Sequence, residues 1–145
     1  MNPEEIKQEL AATPQGVKNL AFALAKAQGQ ITNPKKDTEN PFFKSKYADL
    51  AAVWDAVRPH LSANGLAFVQ MPTADGNKVS ITAKLLHESG EWMESTISGT
   101  AKDAGPQSIG SCITYLRRYQ MSAILGLAAE ADDLGAAELC AVVDG

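Results

Sequence analysis

No run of this 145-residue sequence is apolar for long enough to span a bilayer. The first ten residues, MNPEEIKQEL, lack the charged-then-apolar order of a secretory leader, so the chain is expected in the cytoplasm, without membrane contact. Cysteine is scarce. Cys112 and Cys140 are too few and too far apart for a disulfide framework or a zinc site, which suits a reducing compartment. The two histidines, His60 and His87, have no metal-ligand spacing. GPQSIGS places glycines before a helical pattern but lacks the Gly-Lys-Ser/Thr of a phosphate loop, which argues against nucleotide hydrolysis. There is no GxSxG elbow. Nothing pairs a nucleophile with a base. The chain reads as a binding protein, not an enzyme, and no cofactor is expected.

A basic excess is also missing, since the formal charge is −4. Its distribution is uneven. Residues 1–10 carry −2, residues 129–145 carry −5 with no base, and 11–128 carry +3. A mildly basic middle with acidic ends is compatible with nucleic acid. Asp132-Asp133 is a conceivable divalent-ion pair and would suit a metal-dependent nuclease, but adjacent acids in an alanine-rich tail are ordinarily solvated. No metal is expected.

What is present is periodic. Residues 1–14 read as an N-terminal arm. Thr13-Pro14 is a cap and first-turn proline, so a helix should start there, with Val17, Leu20, Leu24 and Ile31 as its apolar stripe and Lys18 and Lys26 off it. Thr32 to Lys46 is a loop holding Lys35, Lys36, Lys44 and Lys46 beside Phe42 and Phe43, the basic–aromatic mixture of single-strand binders. The same phenylalanines would equally pin the loop to a core. A second helix should begin near Lys46, with Tyr47, Leu50, Trp54, Val57 and Leu61 as its stripe. Pro59 should kink or break it, and Asn64-Gly65 should end it.

Three strands follow: Leu66 to Met71, Lys78 to Leu86 and Trp92 to Ser98, the last two joined by a turn at Glu88–Glu91. In the second, Val79, Ile81, Ala83 and Leu85 alternate with Ser80, Thr82 and Lys84, so one face is buried and one polar. The fold class is α+β: two N-terminal helices, a three-stranded antiparallel meander, and a long helix packed on it. Residues 15–128 form one domain and 129–145 an acidic tail, either a short helix or loose. Three strands alone leave two open edges, which invite pairing between subunits.

The long helix is Gly105 to Leu127. Ile109, Ile113, Leu116, Ala123, Ile124 and Leu127 make its apolar stripe. Ser111, Thr114, Arg118 and Ser122 should face away from it, with Tyr115 and Arg117 at the flanks. Such a face holds phosphate and stacks bases, or is simply solvated.

NPFFKSKYADLAAVWDAVRPHLSANGL, LLHESGEWMES and GPQSIGSCITYLRRYQMSAILGLAAEADD, in that order, resemble the ERF (essential recombination function) family of phage and prophage single-strand annealing proteins. The resemblance covers roughly residues 15–135 and is most specific in QSIGS-x-I-T-Y-x-R-R-Y-x-x-S-A-x-L-G-L. The family usually has alanine at Cys112 and Leu116, and an acidic run that Leu134 interrupts here.

The resemblance implies kinship with the Red-beta annealing proteins, rings or helical filaments, and ATP-independent pairing of complementary strands. It implies single-stranded DNA as ligand, with a phage exonuclease and a host single-strand binding protein as partners. Arg117 and Arg118 become the leading DNA contacts, with Tyr115 beside them. Lys44, Lys46 and Tyr47 form a second wall, and Lys84 and Lys102 are outlying contacts. The helix start at Gln107 and Ser108 would offer N–H groups to a phosphate. The alternative is an α+β oligomeric protein–protein module that binds no DNA.

Overall fold

The computed structural model describes residues 1–12, 16–34, 38–39, 46–128 and 140–142. The expected arm is helical: α1 runs Pro3–Ala12. Asn2 and Glu5 cap it reciprocally. The Glu5 N–H donates to Asn2 Oδ1 at 2.8 Å and the Asn2 N–H donates to Glu5 Oε2 at 2.9 Å. Helix α2 spans Lys18–Gln30, with Val17 at its N-cap, so its described start lies later than Thr13-Pro14; residues 13–15 are outside the described part.

Residues 38–39 (β1) and 46–47 (β2) pair antiparallel, Thr38 with Tyr47 and Glu39 with Lys46. Lys46 and Tyr47 are therefore strand residues, not the first turn of a helix. Helix α3 begins at Leu50 and ends at Ala63, capped by Asp49, whose side chain accepts from the Ala52 N–H. Pro59 stays inside it without ending it. The carbonyl that Pro59 leaves without a helical donor belongs to Asp55, and both residues are exposed, so water satisfies it.

The meander is as expected, with longer strands: β3 Leu66–Asp75, β4 Lys78–His87, β5 Trp92–Ala101. Gly76 at φ +61° and Gly90 at φ +92° make the two turns, a conformation glycine adopts without steric cost. A short strand β6, Cys140–Val142, adds to β5 opposite Gly99–Ala101, giving the order β3-β4-β5-β6. Within the tail, residues 140–142 are thus a strand, and 129–139 and 143–145 lie outside the described residues. This strand covers one end of the β5 edge. On β3, Pro72 faces Ile81 across a non-bonded pair. The ladder bonds of neighbouring residues fix that phase: the Glu88 N–H reaches Gly65 O on one side and the His87 N–H reaches Glu91 O on the other. Pro72 therefore turns its donorless nitrogen outward.

One sheet face is covered. Val79, Ile81, Ala83 and Leu85 are all buried on it. The other, with Val69, Met71 and Trp92, carries no helix among the described residues. Helix α4, Pro106–Leu125, lies on the covered face and ends at Gly126 (φ +76°), where the Leu127 N–H returns to the Ser122 carbonyl at 2.8 Å. Its two halves bury different sides. Cys112 and Leu116 join Val79, Ile81 and Ala101. Met121 and Leu125 join Leu20 and Ala27 of α2, Val53, Val57 and Leu61 of α3, and Phe68 and Leu85 of the sheet. Truncating one such leucine to alanine would cost about 2–5 kcal/mol. Trp54 is only partly buried at the edge of this second cluster.

Cys112 is buried and disulfide-bonded. Separation in sequence does not keep the cysteines apart, because β6 brings the backbone of Cys140, the chain's one other cysteine, opposite Ala101. The bond removes the cysteine count as an argument for a reducing compartment. Among the described residues no helix is long and apolar enough to cross a membrane.

Candidate nucleic-acid interface

The single stripe expected on α4 is not what the fold uses. Arg118 is 4% exposed and Ser122 is fully buried, whereas Ala123 is exposed. The reason is the sandwich just described. One helical period identifies one apolar side, but the C-terminal half of α4 is covered by the sheet and also by α2 and α3. Two residues of the face read as polar, Arg118 and Ser122, are buried as well. The Arg118 guanidinium lies 5.8 Å from the Tyr115 ring centre. Arg118 is thus an interior residue, not one reaching freely into solvent.

Arg117 and Tyr115, two residues apart, project roughly 200° from one another. Arg117 is half-buried and points toward β3, where its Nε donates to Gln70 Oε1 at 3.3 Å. Tyr115 lies on the β5 side with Tyr119, one turn later. Their rings stack at 6.0 Å between centres and 28° between planes. Burial pushes the Tyr115 phenol up, the Tyr119 phenol adds to this, and Arg118 opposes it. Tyr119 is 42% exposed and was not among the expected site residues, although it repeats Tyr115 at i+4. Its ring presents a stacking surface of the kind that binds bases without regard to sequence.

The other expected residues do not converge here. Lys84 is on the open sheet face, away from α4. It lies 3.8 Å from the Glu94 carboxylate and 4.9 Å from the Trp92 ring centre, so its charge is already partnered. Lys102 is exposed in the loop before α4. It lines a cavity of about 260 Å³ with Asp103, Gln107, Ser108 and Ser111. Asp103 Oδ1 accepts from the Gly105 N–H at 2.8 Å. That bond, then Ser108 and the nearby Lys102, hold the Asp103 carboxyl below its ordinary range. An anion already stands at the start of α4, which works against the phosphate site expected at Gln107 and Ser108. Lys46 and Tyr47 contribute backbone to β2. Lys44 lies outside the described residues, as do Lys35, Lys36, Phe42 and Phe43.

Among the described residues no group of three or more His, Cys, Asp or Glu side chains could hold a metal. Asp132 and Asp133 are outside them.

A feature off this helix also stood outside the expected site. Lys18, Phe22 and Lys26 follow at four-residue steps on α2, and Phe22 is 70% exposed, with the Lys26 ammonium 5.8 Å from its ring centre.

The family model described as the ERF superfamily matches residues 20–138. That span contains α3, the meander and all of α4. Neither the curated proteins nor the solved structures contain a match to the chain.

Proposed function

Because the chain belongs to the ERF superfamily, we propose that it binds single-stranded DNA and pairs complementary strands without ATP, in phage recombination. The observation that carries this reading is the family match across residues 20–138. The exposed Tyr119 ring and the Arg117 guanidinium, on opposite flanks of α4, support it chemically. In this reading Arg117 takes a phosphate on the β3 side, and Tyr115 with Tyr119 receives bases on the β5 side. Arg118 backs the tyrosines from within. Lys44, Lys46 and Tyr47 supply a second wall, and Lys84 and Lys102 act farther out. The strand is gripped by its backbone with pairing edges outward. Matched pairing then supplies the free energy, so no nucleotide is consumed.

Subunits would repeat this grip along a ring or filament in the bacterial cytoplasm, beside a phage exonuclease and a host single-strand binding protein. Fluorescence anisotropy with unrelated oligonucleotides across a salt series tests the binding. The expected slope of log affinity against log salt is clearly negative, about −0.7 per phosphate contact on a single strand. A flat slope, or one strongly preferred sequence, overturns it. An annealing assay with complementary oligonucleotides tests the pairing.

One observation favours a second reading. The exposed Phe22 ring suits an oligomeric protein–protein module that needs no DNA. Large assemblies with no salt-dependent DNA binding would select that reading.

A further inference from the structure

Two glutamines far apart in sequence meet Arg117 under α4. Gln120 is 3% exposed, and its Nε2 donates to the Ile81 carbonyl at 3.0 Å and the Ser95 carbonyl at 3.3 Å. Both carbonyls can only accept, so the amide orientation is fixed and Gln120 Oε1 must face the other way. There it accepts from Gln70 Nε2 at 3.0 Å. The second proton of Gln70 Nε2 goes to the Arg117 carbonyl at 3.0 Å. With both donors committed, Gln70 presents only its oxygen to the arginine, and Arg117 Nε donates to it at 3.3 Å.

The chain of bonds therefore has one polarity, from the guanidinium through Gln70 and Gln120 to the carbonyls of two strands. It holds Arg117 at its carbonyl and at Nε. The terminal guanidinium nitrogens have no partner among the described residues. An arginine fixed by Nε keeps its outer fork for two oxygens of an anion, and a fixed fork loses less entropy when it binds.

We propose that Gln70, seated by Gln120, is a positioning residue that aims the Arg117 fork at a DNA phosphate beside β3. The proposal rests on the reading of α4 as a DNA-binding helix and names how one of its contacts is made.

Gln70→Met, of similar length but without hydrogen bonds, tests it alongside Arg117→Ala and the double variant. Affinity for a fluorescently labelled oligonucleotide of arbitrary sequence is read by anisotropy across salt, and folding by urea melts. Arg117→Ala should weaken binding on the order of tenfold or more. It should also make the salt slope shallower by about 0.7. Gln70→Met should weaken binding severalfold and flatten the slope in the same sense. Adding it to Arg117→Ala should cost nothing further, because the aimed group is gone. A purely structural glutamine would lower the urea midpoint, leave the slope unchanged and add its effect to that of Arg117→Ala. That result overturns the positioning role while leaving the DNA reading intact. Unchanged binding by Arg117→Ala would also overturn it, since there would be nothing to aim. A wild-type chain that binds no DNA would overturn both.

Discussion

Tyr115 and Tyr119 stack on the β5 side of α4, one ring half-buried and the other 42% exposed. The inner ring supports the outer one, so Tyr119 can meet a base without being held in place by the ligand. Tyr119→Ala should weaken single-strand binding by about 1–3 kcal/mol, the usual worth of one stacked base. Tyr119→Phe should bind like the wild type, because the ring and not the hydroxyl is used. Anisotropy on the two variants decides it. Equal loss in both would assign the effect to the hydroxyl.

Arg118 should act first on stability. Its side chain is almost wholly buried and its guanidinium lies over Tyr115. Arg118→Ala removes packing and leaves a void, so it should lower unfolding free energy by about 1–3 kcal/mol. A solvated arginine would change it by about 0.5 kcal/mol or less. Urea denaturation followed by circular dichroism separates these outcomes.

Asp103 gives a pH signature. Its carboxyl lies below its ordinary range, chiefly through the Gly105 N–H and then through Ser108 and Lys102. A carboxyl whose pKa is lower folded than unfolded binds its proton more tightly in the unfolded chain. Its stabilisation is present above the unfolded pKa and lost as pH falls through the folded one. Asp103→Asn should therefore melt below the wild type at neutral pH. The gap should close as pH falls below the ordinary aspartate range, about 3.9. A gap independent of pH would refute the linkage.

Phe22 predicts assembly. Phe22→Ser should leave the circular dichroism spectrum unchanged, since the ring is 70% exposed in the isolated chain. It should reduce the mass seen by light scattering at micromolar concentration if α2 meets another copy. An unchanged mass would remove this surface from the assembly.

The meander was legible because β4 alternates strictly, Val79 to Leu85, and period two has one reading. The start of α4 was legible from Gly105-Pro106, whereas its end was expected at Leu127 and falls at Leu125, before the left-handed Gly126. Its buried sides were not legible. A stripe of apolar residues shows one contact, and α4 has two, the second made by Met121 and Leu125, with Arg118 and Ser122 buried besides. The Gln70–Gln120 contact depends on where the helix crosses β3, which neither segment states alone. Helix α1 has its own start signal in the sequence: Asn2-Pro3-Glu4-Glu5 is a cap, a first-turn proline and two acids at a helix start. Lys46 and Tyr47 fit a helical stripe by spacing, but Asp49 is the residue whose side chain can cap, and the helix begins after it.

Pro72 gives the sheet a grain. Along β3 the outward donors are those of Leu66, Phe68, Gln70 and Ala74, with a missing one between the last two. Along β5 the outward groups of Trp92, Glu94, Thr96 and Ser98 follow without a break until β6 takes over. A foreign backbone laid beside β3 would lose its ladder midway, and two β3 strands joined by a two-fold axis would lose it twice. Any lengthening of this sheet by another copy is therefore favoured at the β5 lip alone, and two such lips joined by a two-fold axis would give a closed pair whose outer edges are both β3.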